Sequence, residues 1–149
     1  MITQRHRARE FALQILYRYE VQESATLEAA TVARELISHF DHFKIPDELR
    51  EFTGHLVAGV LLHRAEIDPL IEANTPGWRV ARMPLVDRSL LRIATFELKH
   101  PSDASHSTVI DEAVELAKTF GSQETPAFVN AVLDAIRTQL ATASPNPVN

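Results

Sequence analysis

The chain of 149 residues contains no cysteine, only four glycines, and no apolar run long enough to span a membrane. Without cysteine, disulfide scaffolds, thiolate zinc sites and cysteine nucleophiles are excluded. The glycines form neither a GxGxxG nor a GxxxxGK[ST] motif, so nucleotide-dependent chemistry is not expected. The start, MITQRHRARE, lacks the apolar segment of a signal peptide. We therefore expect one cytoplasmic domain without a cofactor.

The charges are unevenly distributed along the chain. The formal net charge is −5, which argues against a general nucleic-acid coat protein because non-specific binding depends on neutralising phosphates. The first nine residues nevertheless contain Arg5, Arg7 and Arg9 and no acidic residue. A basic tip on an acidic body favours two kinds of partner, one anionic and one basic.

Apolar residues recur with the helical period throughout, and no run alternates as a strand would, so the sequence predicts an all-α protein. We expect a single domain of about seven helices, with a cap for the sixth at Ser107 or Thr108 and a disordered tail over residues 141–149. The predicted helices cover residues 3–20, 27–40, 46–61, a short stretch ending at 74–77, 84–99, 108–120 and 125–140.

Two features of the first predicted helix could carry a binding function. The arginines at 5, 7 and 9 could splay around a phosphate backbone, although three arginines alone are more often a solvated first turn. Leu13 and Tyr17 lie off the apolar face of this helix. Tyr17 could anchor a partner, or another helix of the same chain could bury it.

The remaining candidates for chemistry are weaker. Phe128, at the start of the seventh predicted helix, could stack on a base, but an ordinary core phenylalanine is the stronger interpretation. The seven histidines show no HExxH or similar ligand spacing, so no metal site is expected. Neighbouring serine, histidine and carboxylate residues do not make a catalytic triad, since adjacency in sequence is not geometry. We find no signature of an enzyme.

Three segments together resemble the NusB family of transcription antitermination proteins, namely RHRAREFALQILYRYE, VDRSLLRIATFEL and VIDEAVELAKTFGSQETPAFVNAVLDAI. Their order and spacing make the resemblance specific, and it covers most of the chain outside residues 21–50 and the tail. It implies two packed helical subbundles. It also implies binding to boxA RNA with the ribosomal protein NusE, within the RNA polymerase antitermination complex that transcribes ribosomal RNA operons.

The resemblance also assigns expected roles to individual residues. It implies that the arginine-rich motif, the loop between helices six and seven, and the phenylalanine after this loop contact RNA, that is, Arg5, Arg7, Arg9, Ser122, Gln123, Glu124 and Phe128. Tyr17 matches the aromatic residue that faces NusE, and Leu13 lies beside it. Because His6 stands where another arginine is common in the family, we expect RNA affinity to depend more on the partner.

Other functions stay open at this stage. A NusB-like domain also occurs at the N-terminus of a ribosomal RNA cytosine methyltransferase, but this chain has neither the length nor the glycine-rich loop for a cofactor-binding domain. A helical bundle that binds proteins and has little RNA affinity is the alternative function. The sequence leaves a homodimer open.

Overall fold

The computed structural model describes residues 3–22 and 28–143, with no account of the side chains of residues 21 and 22. Across this part of the chain the structure is helical, without strands, as the periodicity predicted. The seven α-helices are α1 (Gln4–Gln22), α2 (Ala29–His42), α3 (Asp47–Leu62), α4 (Arg64–Ala73), α5 (Leu85–Lys99), α6 (His106–Phe120) and α7 (Thr125–Ala143), with a 3₁₀ turn at Val80–Arg82.

The helices pack as two subbundles around one continuous core. Helices α1, α2 and α3 form the first, and α4, α5, α6 and α7 form the second. Helix α5 contacts α1, α3, α4, α6 and α7, so residues 89–98 are buried without interruption. A helix buried on all sides must pair its charged side chains, and this requirement shapes the interface between the subbundles.

Some helix ends differ from the sequence-based expectation. Helix α6 begins two residues earlier, because Ser105 rather than Ser107 or Thr108 is its cap and accepts a hydrogen bond from the Thr108 backbone N–H at 3.1 Å. Helix α7 continues to Ala143, three residues beyond the predicted end. The rest of the predicted disordered tail, residues 144–149, lies outside the described residues. None of the described helices is long and apolar enough to cross a membrane.

A group of charged residues joins the C-terminal end of α1 to the second subbundle. The Glu20 carboxylate accepts hydrogen bonds from Arg92 at 2.6 Å and from Arg88 at 3.1 Å, and Arg92 also binds Asp68 of α4 through two bonds of 2.9 Å. Burial alone would raise the pKa of Glu20, but the hydrogen bonds from Arg92 and Arg88 lower it below its ordinary value. Glu20 is therefore held as an anion that connects α1 to α5.

Gly59 of α3 lets the Phe96 ring of α5 approach the α3 backbone. A Cβ at position 59 would overlap this ring, which is buried between the histidine rings of positions 55, 63 and 100. Glycine inside a helix is less favourable than alanine, and this close contact is the reason for it at position 59.

We expect Gly59→Ala to lower the free energy of unfolding by about 2 kcal/mol, because overpacking a buried ring outweighs the gain in helix propensity. Gly54→Ala, in the same helix, is the matched control. Its Cβ would lie 3.3 Å from the half-buried Phe40 ring, which can yield, so its stability should stay close to wild type. Urea denaturation measures both variants, and equal effects would contradict the assigned role of Phe96.

Candidate nucleic-acid and partner interface

Arg9 lies inside the fold and pairs with Glu97. Its Nε and Nη2 donate to the two Glu97 carboxylate oxygens, each at 2.8 Å, and its Nη1 donates to Glu112 at 3.2 Å. Arg9 is 3% exposed and Glu97 5% exposed. Burial disfavours the Arg9 charge, yet the bonds and charge of Glu97 raise its pKa above the ordinary value. This placement argues against the expected RNA contact by Arg9, since only 4% of its side chain is exposed.

The other two arginines of the motif point outward. Arg5 is half-exposed, and its guanidinium lies 3.8 Å from the centre of the Phe52 ring and 3.7 Å from the Asp103 carboxylate. Arg7 is exposed and has no ion pair within residues 3–22 and 28–143. His6, between them, contacts Glu112 at 3.1 Å. The motif therefore divides into one structural arginine and two that solvent and ligands can reach.

The loop between α6 and α7 exposes Ser122, Gln123 and Glu124. Its shape is fixed by Thr125, whose buried hydroxyl donates to Asp87 of α5 at 2.8 Å and accepts from the Ser122 backbone N–H at 3.0 Å. This pairing was not foreseen, because Thr125 and Asp87 are 38 residues apart and lie on different helices. A hydrogen bond to a buried carboxylate makes this loop a rigid surface.

Phe128 begins the second turn of α7 and is half-buried against the core. Packing against the core agrees with the interpretation as a core phenylalanine, and the accessible remainder of the side chain leaves base stacking as a prediction. Its backbone N–H bonds to the Glu124 carbonyl at 3.2 Å, which ties it to the exposed loop.

The exposed arginines and the exposed loop lie toward opposite ends of α6. Near the start of α6, Glu112 contacts His6 and Arg9 of α1. At the other end of α6, Phe120 lines the same groove as Leu13 and Tyr17 of α1. Helices α1 and α6 thus run in the same direction. Gly121 lies nine positions after Glu112, which corresponds to about 14 Å of helix. A ligand that touches both regions must be extended, as a nucleic-acid strand is.

An apolar groove of about 490 Å³ opens beside the C-terminal half of α1. Tyr17 is 54% exposed at its edge, whereas Leu13 is only 6% exposed and is largely covered. Leu13 is part of the buried core, so its predicted position off the core is wrong, although it lines the same groove as Tyr17. The remaining lining comes from α1 itself and from the ends of α2, α5 and α6, namely Gln14, Arg18, His42, Phe43, Leu85, Val86, Ser89 and Phe120.

Sequence reasoning missed several residues of these surfaces. Phe43, Val86 and Phe120 were not singled out, because each lies at the end of a different helix and only the fold brings them together. Glu97 and Glu112 were missed as partners of Arg9 for the same reason. An acid inside a run as apolar as LLRIATFEL was the available signal for Glu97, since a buried carboxylate needs a cation.

Comparison with known proteins agrees with this architecture. The model of the NusB family matches residues 6–138. The chain belongs to the NusB family. The transcription antitermination protein NusB of Myxococcus xanthus is 43% identical over 136 residues, covering 91% of this chain and 96% of that protein.

Solved NusB-family structures share the same fold. A solved structure of T. maritima NusB superimposes with a TM-score of 0.79 at 31% identity and covers 93% of this chain and 94% of that chain. A chain from a crystal structure of antitermination factors NusB and NusE in complex with dsRNA superimposes with a TM-score of 0.76 at 26% identity, covering 93% and 99%. The helical architecture with two subbundles is therefore that of the family.

Replacing Arg9 and Arg7 separately distinguishes their roles. Arg9→Ala should lower the free energy of unfolding by about 3–5 kcal/mol, because it leaves the buried Glu97 carboxylate without its cation. Arg7→Ala removes the same side chain from an exposed position two residues away and should leave the urea midpoint near wild type. If the two variants lost similar stability, the division of the motif would be contradicted.

Proposed function

We propose that this protein is a non-enzymatic transcription antitermination factor that binds boxA RNA together with the ribosomal protein NusE and supports transcription of ribosomal RNA. Family membership and the likeness to a NusB chain crystallised with NusE and dsRNA support this proposal. The observation that carries it is the pair of accessible arginines, Arg5 and Arg7, on the helix that also presents Tyr17 to an open apolar groove.

In the proposed complex, the arginines supply affinity and the exposed loop supplies base contacts. Arg5 and Arg7 contact phosphates, and Ser122, Gln123, Glu124 and the accessible side of Phe128 contact unstacked bases. The separation of about 14 Å along α6 suits a single strand that follows the surface between the two regions. Arg9 is excluded from this set and acts by holding α1.

The groove is the proposed docking site for NusE. Its lining is mainly apolar, and Tyr17 at its edge is the kind of aromatic side chain that anchors an interface. The net charge of −5 suits a basic ribosomal protein. In this arrangement NusE and RNA meet near the C-terminal half of α1, so both proteins contribute to the RNA surface. We place this assembly within the antitermination complex of RNA polymerase.

One observation favours the alternative, a protein-binding bundle with little RNA affinity of its own. Arg9 is enclosed and Arg5 already contacts Asp103 and Phe52, so Arg7 is the only arginine of the motif without an ion pair in the described part of the chain. An RNA surface with so few unpaired charges depends on its partner. Measuring RNA binding with and without NusE separates the two functions.

We expect labelled boxA RNA to bind more tightly than scrambled RNA in the presence of NusE, with affinity that falls as salt rises. Arg7→Ala should weaken binding by about fivefold and reduce the salt slope by about 0.7, the value for one phosphate contact on a single strand. Fluorescence anisotropy of the labelled RNA gives both quantities. Arg34→Ala, which removes an exposed arginine from α2, is the matched control and should bind as wild type.

Two results would decide against the proposal. Equal affinity for boxA and scrambled RNA in the presence of NusE would refute boxA recognition. Tight binding of NusE with no measurable RNA binding would establish the alternative instead.

Tyr17→Ala should weaken NusE binding about thirtyfold, because it removes the exposed aromatic at the groove, while the helical circular dichroism stays unchanged. Ile37→Ala is the control, since Ile37 is an exposed apolar residue of α2 that does not line the groove. Isothermal titration calorimetry with purified NusE measures both. A larger effect of Ile37→Ala would place the NusE site elsewhere.

A further inference from the structure

The segment between α4 and α5 holds Trp78 in solvent. Trp78 is the only tryptophan of the chain, and it is 54% exposed. An indole ring in water is unfavourable, since burial of its apolar area would stabilise the fold. A large aromatic side chain that the fold leaves uncovered is a candidate contact for a ligand.

The backbone around Trp78 is rigid. Its N–H donates to the Thr75 carbonyl at 2.9 Å, and Pro76 and Gly77, with φ of +84° at the glycine, form the centre of this turn. Proline followed by a glycine with positive φ is the pattern of a type II turn. The buried Thr75 hydroxyl also donates to the Ile71 carbonyl at 3.0 Å. The exposed indole is therefore presented from a fixed turn.

The residues after Trp78 add positive charge. Arg79 and Arg82 are both exposed, and neither forms an ion pair within residues 3–22 and 28–143. The 3₁₀ turn that carries Arg82 is tethered, since the Val80 N–H donates to the Glu72 carboxylate at 2.8 Å and Arg88 donates to the Met83 carbonyl at 2.9 Å. Within the described part of the chain, two exposed arginines without an ion pair thus lie one and four positions after the exposed indole.

We propose that Trp78, Arg79 and Arg82 form a second contact surface for single-stranded RNA, with a base stacked on the indole and phosphates bound by the arginines. The proposal rests on the proposed RNA-binding function and extends it to nucleotides that flank the segment held by Arg5 and Arg7. Stacking on an aromatic platform combined with a positively charged path is how proteins hold single strands without reading their sequence.

The chemistry of the surface favours RNA over a protein partner. The exposed residues that flank Trp78 in the sequence are Pro76, Gly77, Arg79, Ala81 and Arg82, and none of them is a large apolar residue of the kind that protein interfaces bury. Residues of that kind line the groove at Tyr17 instead.

The surface also lies within reach of the proposed primary site. Arg82 lies only five positions before Asp87, whose carboxylate accepts the Thr125 hydrogen bond that fixes the α6–α7 loop. This chain length spans at most about 18 Å. An RNA that passes the loop can therefore continue toward Trp78.

The sole tryptophan provides a direct test in the wild-type protein. With NusE present, we compare a labelled RNA limited to boxA with one extended on both sides by about ten nucleotides, a length within the site sizes of single-strand binders. Anisotropy of the label reports binding, and emission excited selectively from Trp78 reports stacking. The extended RNA should quench Trp78 at saturation, and the short RNA should leave its emission largely unchanged.

Substitutions then measure the contribution of each group. Trp78→Ala should weaken binding of the extended RNA about tenfold, and Trp78→Phe should retain most of the affinity, while both bind the short RNA as wild type. The double substitution Arg79→Gln and Arg82→Gln should reduce the salt slope for the extended RNA by about 1.4. Circular dichroism verifies that the variants are folded.

The outcomes separate this inference from the proposed function. Binding of both RNAs without any change in Trp78 emission, and with equal affinity for Trp78→Ala, overturns only the second surface. Absence of binding to either RNA by the wild type overturns both proposals. A change in Trp78 emission on adding NusE alone, with none on adding RNA, replaces the RNA contact by a protein contact and overturns this inference.

Discussion

A bidentate ion pair between Arg9 and Glu97 joins helix α1 to helix α5 inside the fold. It fixes both the position and the rotation of α1, because the two parallel hydrogen bonds allow one orientation of the guanidinium. Once Arg9 points inward, Arg7 is exposed, and the turns beyond place Leu13 and Tyr17 at the groove. The accessible arginines and the apolar groove are therefore consequences of how α1 is held.

Arginine–carboxylate contacts hold α1 at both ends. Near its start Arg9 meets Glu97 and Glu112, and near its end Glu20 meets Arg88 and Arg92. Removing such groups from water costs several kcal/mol per ion, so these pairs add less to stability than their short distances suggest. Their directionality favours one register of α1 between the subbundles.

Much of the fold followed from the sequence, because the period of the apolar residues reports which face of each helix is covered. The off-core position of Tyr17 followed from the same period and is confirmed by its exposure. The burial of Arg9 could not be predicted from this period, since its partner Glu97 lies 88 residues away in the sequence. Periodicity describes one helix at a time, whereas an ion pair between helices depends on which faces meet. The groove residues escaped prediction for the same reason, and so did the bond from Thr125 to Asp87.

The central claim is that Arg9 acts through Glu97 to hold α1 and leaves RNA contact to its neighbours. A double-mutant cycle with Arg9→Met, Glu97→Gln and the combined variant, each unfolded in urea, tests it most directly. Each single substitution leaves one buried charge without its partner, and the double substitution leaves neither, so a coupling energy of about 2 kcal/mol or more is predicted. Additivity of the two single effects to within about 0.5 kcal/mol would contradict the account.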